Sequence, residues 1–147
     1  MRNSQFNPRK RVPDVILLGA LFVSDRLVKA IFIASDRYVC NAFGPWGAPL
    51  PSVSVGIVSA IVLFFVAFFW VREERFVSRT ALIMIFGGGF GNLYDRVLYG
   101  CVSDYGFVSW FPAFNLSDVM LTLGVIILGI YILVDERKTS ISRERDF

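Results

Sequence analysis

The chain has 147 residues, 55% hydrophobic and 18% charged, with a net charge of +3 and a mean hydropathy of +0.60. So apolar a chain is not disordered, and its two cysteines cannot make a disulfide scaffold. Histidine is absent, which excludes a His-ligated zinc site and any Ser-His-Asp or Cys-His pair.

Residues 1–11 form a polar, basic tail. The first apolar run, 12–34, is interrupted by Asp25, Arg26 and Lys29. It is longer than a signal-peptide core and lacks a small-residue cleavage site, so it reads as an uncleaved span. Residues 35–52 form a loop with Gly44, Pro45, Gly47, Pro49 and Pro51. The run 53–71 is apolar throughout and long enough to cross the hydrocarbon core. A charged turn, 72–79, leads to a third run, 80–98, which holds Asn92, Asp95 and Arg96 near its end. The loop 99–114 carries Tyr99, Tyr105, Phe107, Trp110, Phe111 and Phe114, the residue types that favour a membrane–water interface. A fourth run, 116–134, precedes a charged tail, 135–147.

The expected fold is an all-α membrane protein with four transmembrane helices, forming a single domain over 1–147. Basic clusters at Arg2, Arg9, Lys10 and Arg11, at Arg72, Arg75 and Arg79, and at Arg137, Lys138, Arg143 and Arg145 all fall on one side of such a bundle. Cytoplasmic loops are rich in Lys and Arg, so the expected orientation is N-in and C-in, with loops 35–52 and 99–114 outside. The positive charge sits at segment ends rather than on one surface, and nucleic acid is not an expected partner.

This arrangement brings Asp25, Lys29, Asn92, Asp95, Arg96 and Asp118 to one depth, near the outer face, beside Asn41 and Asp104 of the outer loops. The inner halves of the spans read as nearly free of charge. Ionisable groups in a membrane are costly and mark function or pair with one another. Asp25 and Lys29, spaced i, i+4, can neutralise each other. Arg96 can pair with Asp95 or reach the headgroups. The Gly87 to Gly91 spacing reads as close helix packing. Asp104 and Asp118 have no basic neighbour in sequence. Two carboxylates brought together share one proton, so one can act as base on a water and the other as acid toward a leaving amine. Transporters also carry membrane aspartates, and spacing alone does not separate the two.

The run Gly87-Gly88-Gly89-Phe90-Gly91-Asn92-Leu93-Tyr94-Asp95-Arg96 resembles the GGxxGNxxDR block of the lipoprotein signal peptidases, membrane aspartic endopeptidases with four spanning helices. Gly100-Cys101-Val102-Ser103-Asp104-Tyr105 is similar to that family's G-x-V-x-D-[FY], Phe114-Asn115-Leu116-Ser117-Asp118 to its FNxAD, and Asp25-Arg26-Leu27-Val28-Lys29 to its D-x-x-x-K. The blocks occur in the family's order over essentially the whole chain. The resemblance implies that Asp104 and Asp118 are the catalytic pair. It implies that Asn92, Asp95, Arg96 and Asn115 form a polar shell that supports the pair and contacts substrate. Asp25 and Lys29 would brace the site, and Asn41 would match an outer-loop Asn. Ser117 stands where the family usually has Ala, Arg26 where Gln is common, and Trp46-Gly47 aligns with a Phe-Gly. The 99–114 loop is short for the family.

The implied reaction is cleavage of a diacylglyceryl-modified prolipoprotein just before its lipidated Cys, by a monomer in the bacterial inner membrane. The active site would face outward and be in contact with membrane lipids, with no metal and no cofactor. The competing readings are a small proton- or cation-coupled transporter subunit, and a homologue that binds lipoprotein precursors without cutting. Cys40 and Cys101 both fall in outer loops. An oxidising exterior permits a bridge, but nothing in the sequence fixes their distance, and two unpaired thiols are the default expectation.

Overall fold

The computed structural model describes residues 11–44 and 48–145, with side chains to residue 137. Trp46 and Gly47, most of the basic N-terminal tail and the basic side chains beyond residue 137 lie outside it. The element order is α1 (Val12–Ala34), β1 (Val39–Asn41), α2 (Ser52–Arg72), α3 (Phe76–Tyr99), β2 (Val102–Asp104), β3 (Gly106–Val108), β4 (Phe111–Phe114) and α4 (Leu116–Arg145).

Local signals account for the helix ends. Pro13 lies in the first turn of α1, where its missing N–H costs nothing and its fixed φ suits the helix. Pro51 precedes α2 in an extended conformation. Only Glu73 to Arg75 separate α2 from α3, and so short a link makes the two helices antiparallel neighbours. The charged turn is thus shorter than the expected 72–79. Glu73 accepts from the Arg75 N–H at 2.8 Å and from the Ser78 hydroxyl at 3.0 Å, which lets α3 begin at Phe76. Gly100 ends α3 with a left-handed φ of 74° and donates its N–H to the Arg96 carbonyl. The expected C-terminal tail is helical as far as Arg145: its Glu, Arg and Lys residues are good helix formers, and no Gly or Pro interrupts them.

The described parts of segments 35–52 and 99–114 are more ordered than the loops expected from the sequence. β1 pairs antiparallel with β2, in the register Val39 to Asp104, Cys40 to Ser103 and Asn41 to Val102. β3 and β4 form a separate hairpin. The alternation that marks strands is hard to see in elements of three or four residues, and the β1–β2 pairing joins segments about sixty residues apart. Cys40 and Cys101 form a disulfide, with a Cα–Cα distance of 5.5 Å, which corrects the expectation of unpaired thiols. The β1–β2 ladder supplies the proximity that sequence could not.

Among the described residues, three helices are long and apolar enough to cross a membrane: Ser52–Arg72, Phe76–Tyr99 and the Leu116–Arg137 part of α4. α1 has the length, but it carries Asp14, Asp25, Arg26 and Lys29. The molecule is apolar outside and polar within. The buried residues of α1 are Asp14, Asp25 and Lys29, while Val15, Ile16, Val23, Leu27 and Ile31 of the same helix are exposed. α2 exposes Val53, Phe64 and Phe69. Such a distribution suits a lipid solvent, in which polar groups must satisfy one another.

Packing is closest where glycines remove side chains. A Cβ on Gly88 or Gly91 of α3 would collide with Ser117 of α4, and one on Gly124 with α3 at Ala81 and Ile85. Gly87 instead faces Leu18 and Leu21 of α1. The helix contact expected of the Gly87–Gly91 spacing is thus carried toward α4 by Gly88 and Gly91, three residues apart.

The end of the bundle where α1 begins, expected to be nearly free of charge, is not. Asp14 pairs with Arg11 at 3.3 Å and with Arg79 at 3.2 Å, and accepts from the Trp70 indole at 3.3 Å. Arg11 also donates to the Val71 carbonyl at the end of α2, so this cluster ties α1, α2 and α3 together.

Candidate active site

Four elements meet around Asp104 and Asp118. Asp104 ends β2 and is 2% exposed, and Asp118 lies in the first turn of α4. Asn115, just before α4, touches both. Its side-chain amide donates to Asp104 Oδ1 at 2.6 Å, and its backbone N–H donates to Asp118 Oδ2 at 3.0 Å. In return the Asp118 N–H donates to Asn115 Oδ1 at 3.2 Å. This reciprocal bonding satisfies N–H groups that the helix start leaves open. The other oxygens are also held: Asn41 Nδ2 donates to Asp104 Oδ2 at 3.0 Å, and Asn92 Nδ2 to Asp118 Oδ1 at 2.7 Å. Asn92 Oδ1 accepts from Asn115 at 3.1 Å and from Lys29 at 3.4 Å. Each carboxylate oxygen therefore has one donor.

Beneath this layer lies a charged one. Lys29 is 3.1 Å from Asp25 and 2.8 Å from Asp95, and all three are buried. Arg26 bridges the same two aspartates, donates to the Gly91 carbonyl and lies over the rings of Phe22 and Tyr94. Two cations and two carboxylates make the cluster neutral, which is the condition for keeping charge away from water. Asp25 Oδ1 also accepts the Ser117 N–H at 3.2 Å, which links this layer to the start of α4.

The expected i, i+4 pairing of Asp25 and Lys29 is present. Arg96, however, does not pair with Asp95, whose partners come from α1. Among the described residues the Arg96 guanidinium donates only to the Asn92 carbonyl of its own helix, at 3.4 Å, and its buried Nε has no partner. Arg96 instead lines a cavity of about 680 Å³ together with Asn41, Asn92, Asp104 and Asp118. The remaining wall is largely apolar, including Val55, Leu121 and the Trp110 and Phe111 rings. Trp110 is 84% exposed at the tip of the β3–β4 hairpin.

All the residues expected to act together are gathered here: Asp25, Lys29, Asn41, Asn92, Asp95, Arg96, Asp104, Asn115 and Asp118. Sequence reasoning left Arg26 out. Its signal was a third charge beside Asp25 and Lys29 in an apolar run, too many for a single self-neutralising pair. Tyr105 is a further addition: its hydroxyl accepts the Leu116 N–H at 2.9 Å and its ring stacks on Phe32 at 4.3 Å.

Electrostatics favour the protonated form of Asp104. Burial pushes the Asp104 carboxyl above its ordinary range; the amides of Asn41 and Asn115 oppose this, the charge of Asp118 adds to it, and that of Lys29 opposes it. Burial likewise raises the Tyr105 phenol.

Residues 17–134 match the family described as signal peptidase (SPase) II. A lipoprotein signal peptidase of Staphylococcus carnosus is 36% identical over 141 residues, covering 89% of this chain and 87% of that protein. One from Geobacter sulfurreducens is 36% identical over 126 residues, covering 83% and 79%. A solved structure described as a bacterial membrane enzyme aligns with a TM-score of 0.74 at 25% identity, covering 84% of this chain and 89% of that one. The chain belongs to the signal peptidase II family.

Proposed function

We infer that this protein is a lipoprotein signal peptidase, an aspartic endopeptidase that removes signal peptides from prolipoproteins, and that Asp104 and Asp118 are its catalytic pair. The observation that carries the assignment of the pair is Asn115, which donates to both carboxylates at the edge of one cavity. Family membership favours this reading over a transporter.

With one proton on the pair, the ionised carboxylate takes a proton from a water, which attacks the scissile carbonyl. The protonated partner then gives its proton to the departing amine. The amides of Asn41, Asn92 and Asn115 fix the carboxyl planes, so little reorganisation accompanies the reaction. Arg96, without a carboxylate partner among the described residues, is free to donate to a substrate carbonyl in the cavity. The apolar wall suits the signal-peptide segment and the acyl chains of the lipidated Cys before which the chain is cut.

The proposed topology is one domain of four spans, N-in and C-in, with the site toward the outer face of the bacterial inner membrane, acting as a monomer among lipids. The 23 residues of α1 span about 35 Å at 1.5 Å per residue, enough for a fourth crossing. Its charges point inward and its apolar residues outward, which supports that assignment.

The test is cleavage of a diacylglyceryl-modified prolipoprotein by purified protein in detergent, beside Asp104→Asn and Asp118→Asn. Wild type is expected to cut and both variants to be inactive yet folded. Cleavage by either variant overturns the assignment of the pair, and an inactive wild type overturns the peptidase reading.

A further inference from the structure

The Cys40–Cys101 disulfide takes no part in the reaction, yet it lies next to the site, within β1 on one side and just before β2 on the other. Cys40 immediately precedes Asn41, and Cys101 immediately follows Gly100, the residue that ends α3. Three residues after Cys101 stands Asp104. Asn41 reaches Asp104 from the other strand and holds the Oδ2 that Asn115 does not touch. Asn41 Oδ1 accepts the Phe43 N–H at 3.0 Å, so the direction of its amide is set by its own loop. That loop is joined to the body of the protein through β1, and the β1–β2 ladder is only three residue pairs long. An isolated two-stranded ribbon of this length is marginal by itself. Cys101 is buried against the end of α3, whereas Cys40 is exposed.

Resting on the aspartic peptidase reading, we propose that Cys40 and Cys101 are positioning residues: their disulfide clamps the loop that holds the Asn41 amide on Asp104. The amide favours one orientation and the ionised form of that carboxyl. Other groups facing Asp104 are Asn115 and Asp118 from α4, Lys29 from α1, Arg96 from α3 and the adjacent Tyr105. These stay in place when the disulfide opens, so substrate binding persists while turnover falls.

The test compares oxidised protein with protein reduced by a water-soluble phosphine. The phosphine is oxidised to its oxide with oxygen from water, and the two sulfurs take up two electrons and two protons to become thiols, which a maleimide then counts. Turnover of a diacylglyceryl-modified prolipoprotein is measured for both forms, for Cys40→Ala/Cys101→Ala, and for Asn41→Ala before and after reduction. The expected result is a kcat lower by roughly 3- to 10-fold in the reduced protein and the double variant, less than the full loss of one hydrogen bond to a charged group, because the unclamped Asn41 still meets Asp104 part of the time. KM stays within about twofold, the limb of the pH profile set by Asp104 moves to higher pH, and reduction has little further effect on Asn41→Ala. Unchanged kcat on reduction overturns the proposal, as does an effect of reduction that is undiminished in Asn41→Ala. If the double variant does not fold, the reduced wild type below its melting transition gives the same readout. Failure of the oxidised wild type to cleave would instead overturn the peptidase reading on which the proposal rests.

Discussion

Asn115 Nδ2 lies 2.6 Å from Asp104 Oδ1, and the backbone of the same asparagine holds Asp118. One residue at the start of α4 therefore fixes the separation and tilt of two carboxyls that come from different elements. The capping geometry that starts a helix here also aligns the pair.

Asn115→Ala removes a side-chain donor from Asp104 and an acceptor from the Asp118 N–H. Hydrogen bonds to charged groups contribute about 1.5–3 kcal/mol, so kcat/KM is expected to fall by about 10- to 100-fold. Asn41→Ala, which loses a donor to one carboxyl only, is expected to cost less. Steady-state kinetics of the two variants beside wild type check this; equal losses would contradict the bridging role of Asn115.

Lys29→Met leaves Asp25 and Asp95 sharing Arg26 alone. Breaking a buried ion-pair network by removing one partner destabilises by about 3–5 kcal/mol. A large fall in melting temperature is expected in detergent. Pairing the change with Asp95→Asn should recover part of it, because one uncompensated charge disappears. Additive losses in the double variant would show that Lys29 and Asp95 do not depend on each other.

Ser117→Ala is expected to leave stability unchanged or raise it by about 1 kcal/mol, because an unpartnered buried hydroxyl carries a desolvation cost. Ser117 is fully buried and its Oγ has no partner among the described residues. Gly91→Ala should act in the opposite sense, since its Cβ would press on Ser117 Oγ and Asp25; overpacking costs about 1–3 kcal/mol. Melting curves of the two variants, and of the pair together, test both signs: the Ser117 change should relieve part of the Gly91 clash.

Asp104 binds its proton more tightly in the folded state than in the unfolded chain, because burial opposes the charged form. Its contribution to stability is full below the unfolded-state value near pH 4 and is lost as pH rises through the higher folded value. Asp104→Asn stays neutral throughout. Its melting temperature relative to wild type should therefore rise as pH increases from about 4 toward neutrality. A difference that does not change with pH would contradict a raised Asp104.

The apolar runs and the placement of charges at their ends made helices legible from sequence, because lipid allows few other spanning structures and penalises every stray charge. The residues of the site were legible for the same reason: polar groups at one depth in an apolar chain stand out. Their partners were not. Arg96 follows Asp95 directly, yet successive helical residues point in different directions, and Asp95 turns toward Lys29 and Arg26 on α1. The cluster around Asp14 was equally hidden, because besides the nearby Arg11 its partners Arg79 and Trp70 come from helices far along the chain. The short strands and the disulfide were decided only by tertiary structure, since both join segments about sixty residues apart and proximity across such a distance leaves no local pattern. Sequence alone determined the solvent this protein is built for and the groups it buries; which of those groups touch one another was set by how the helices pack.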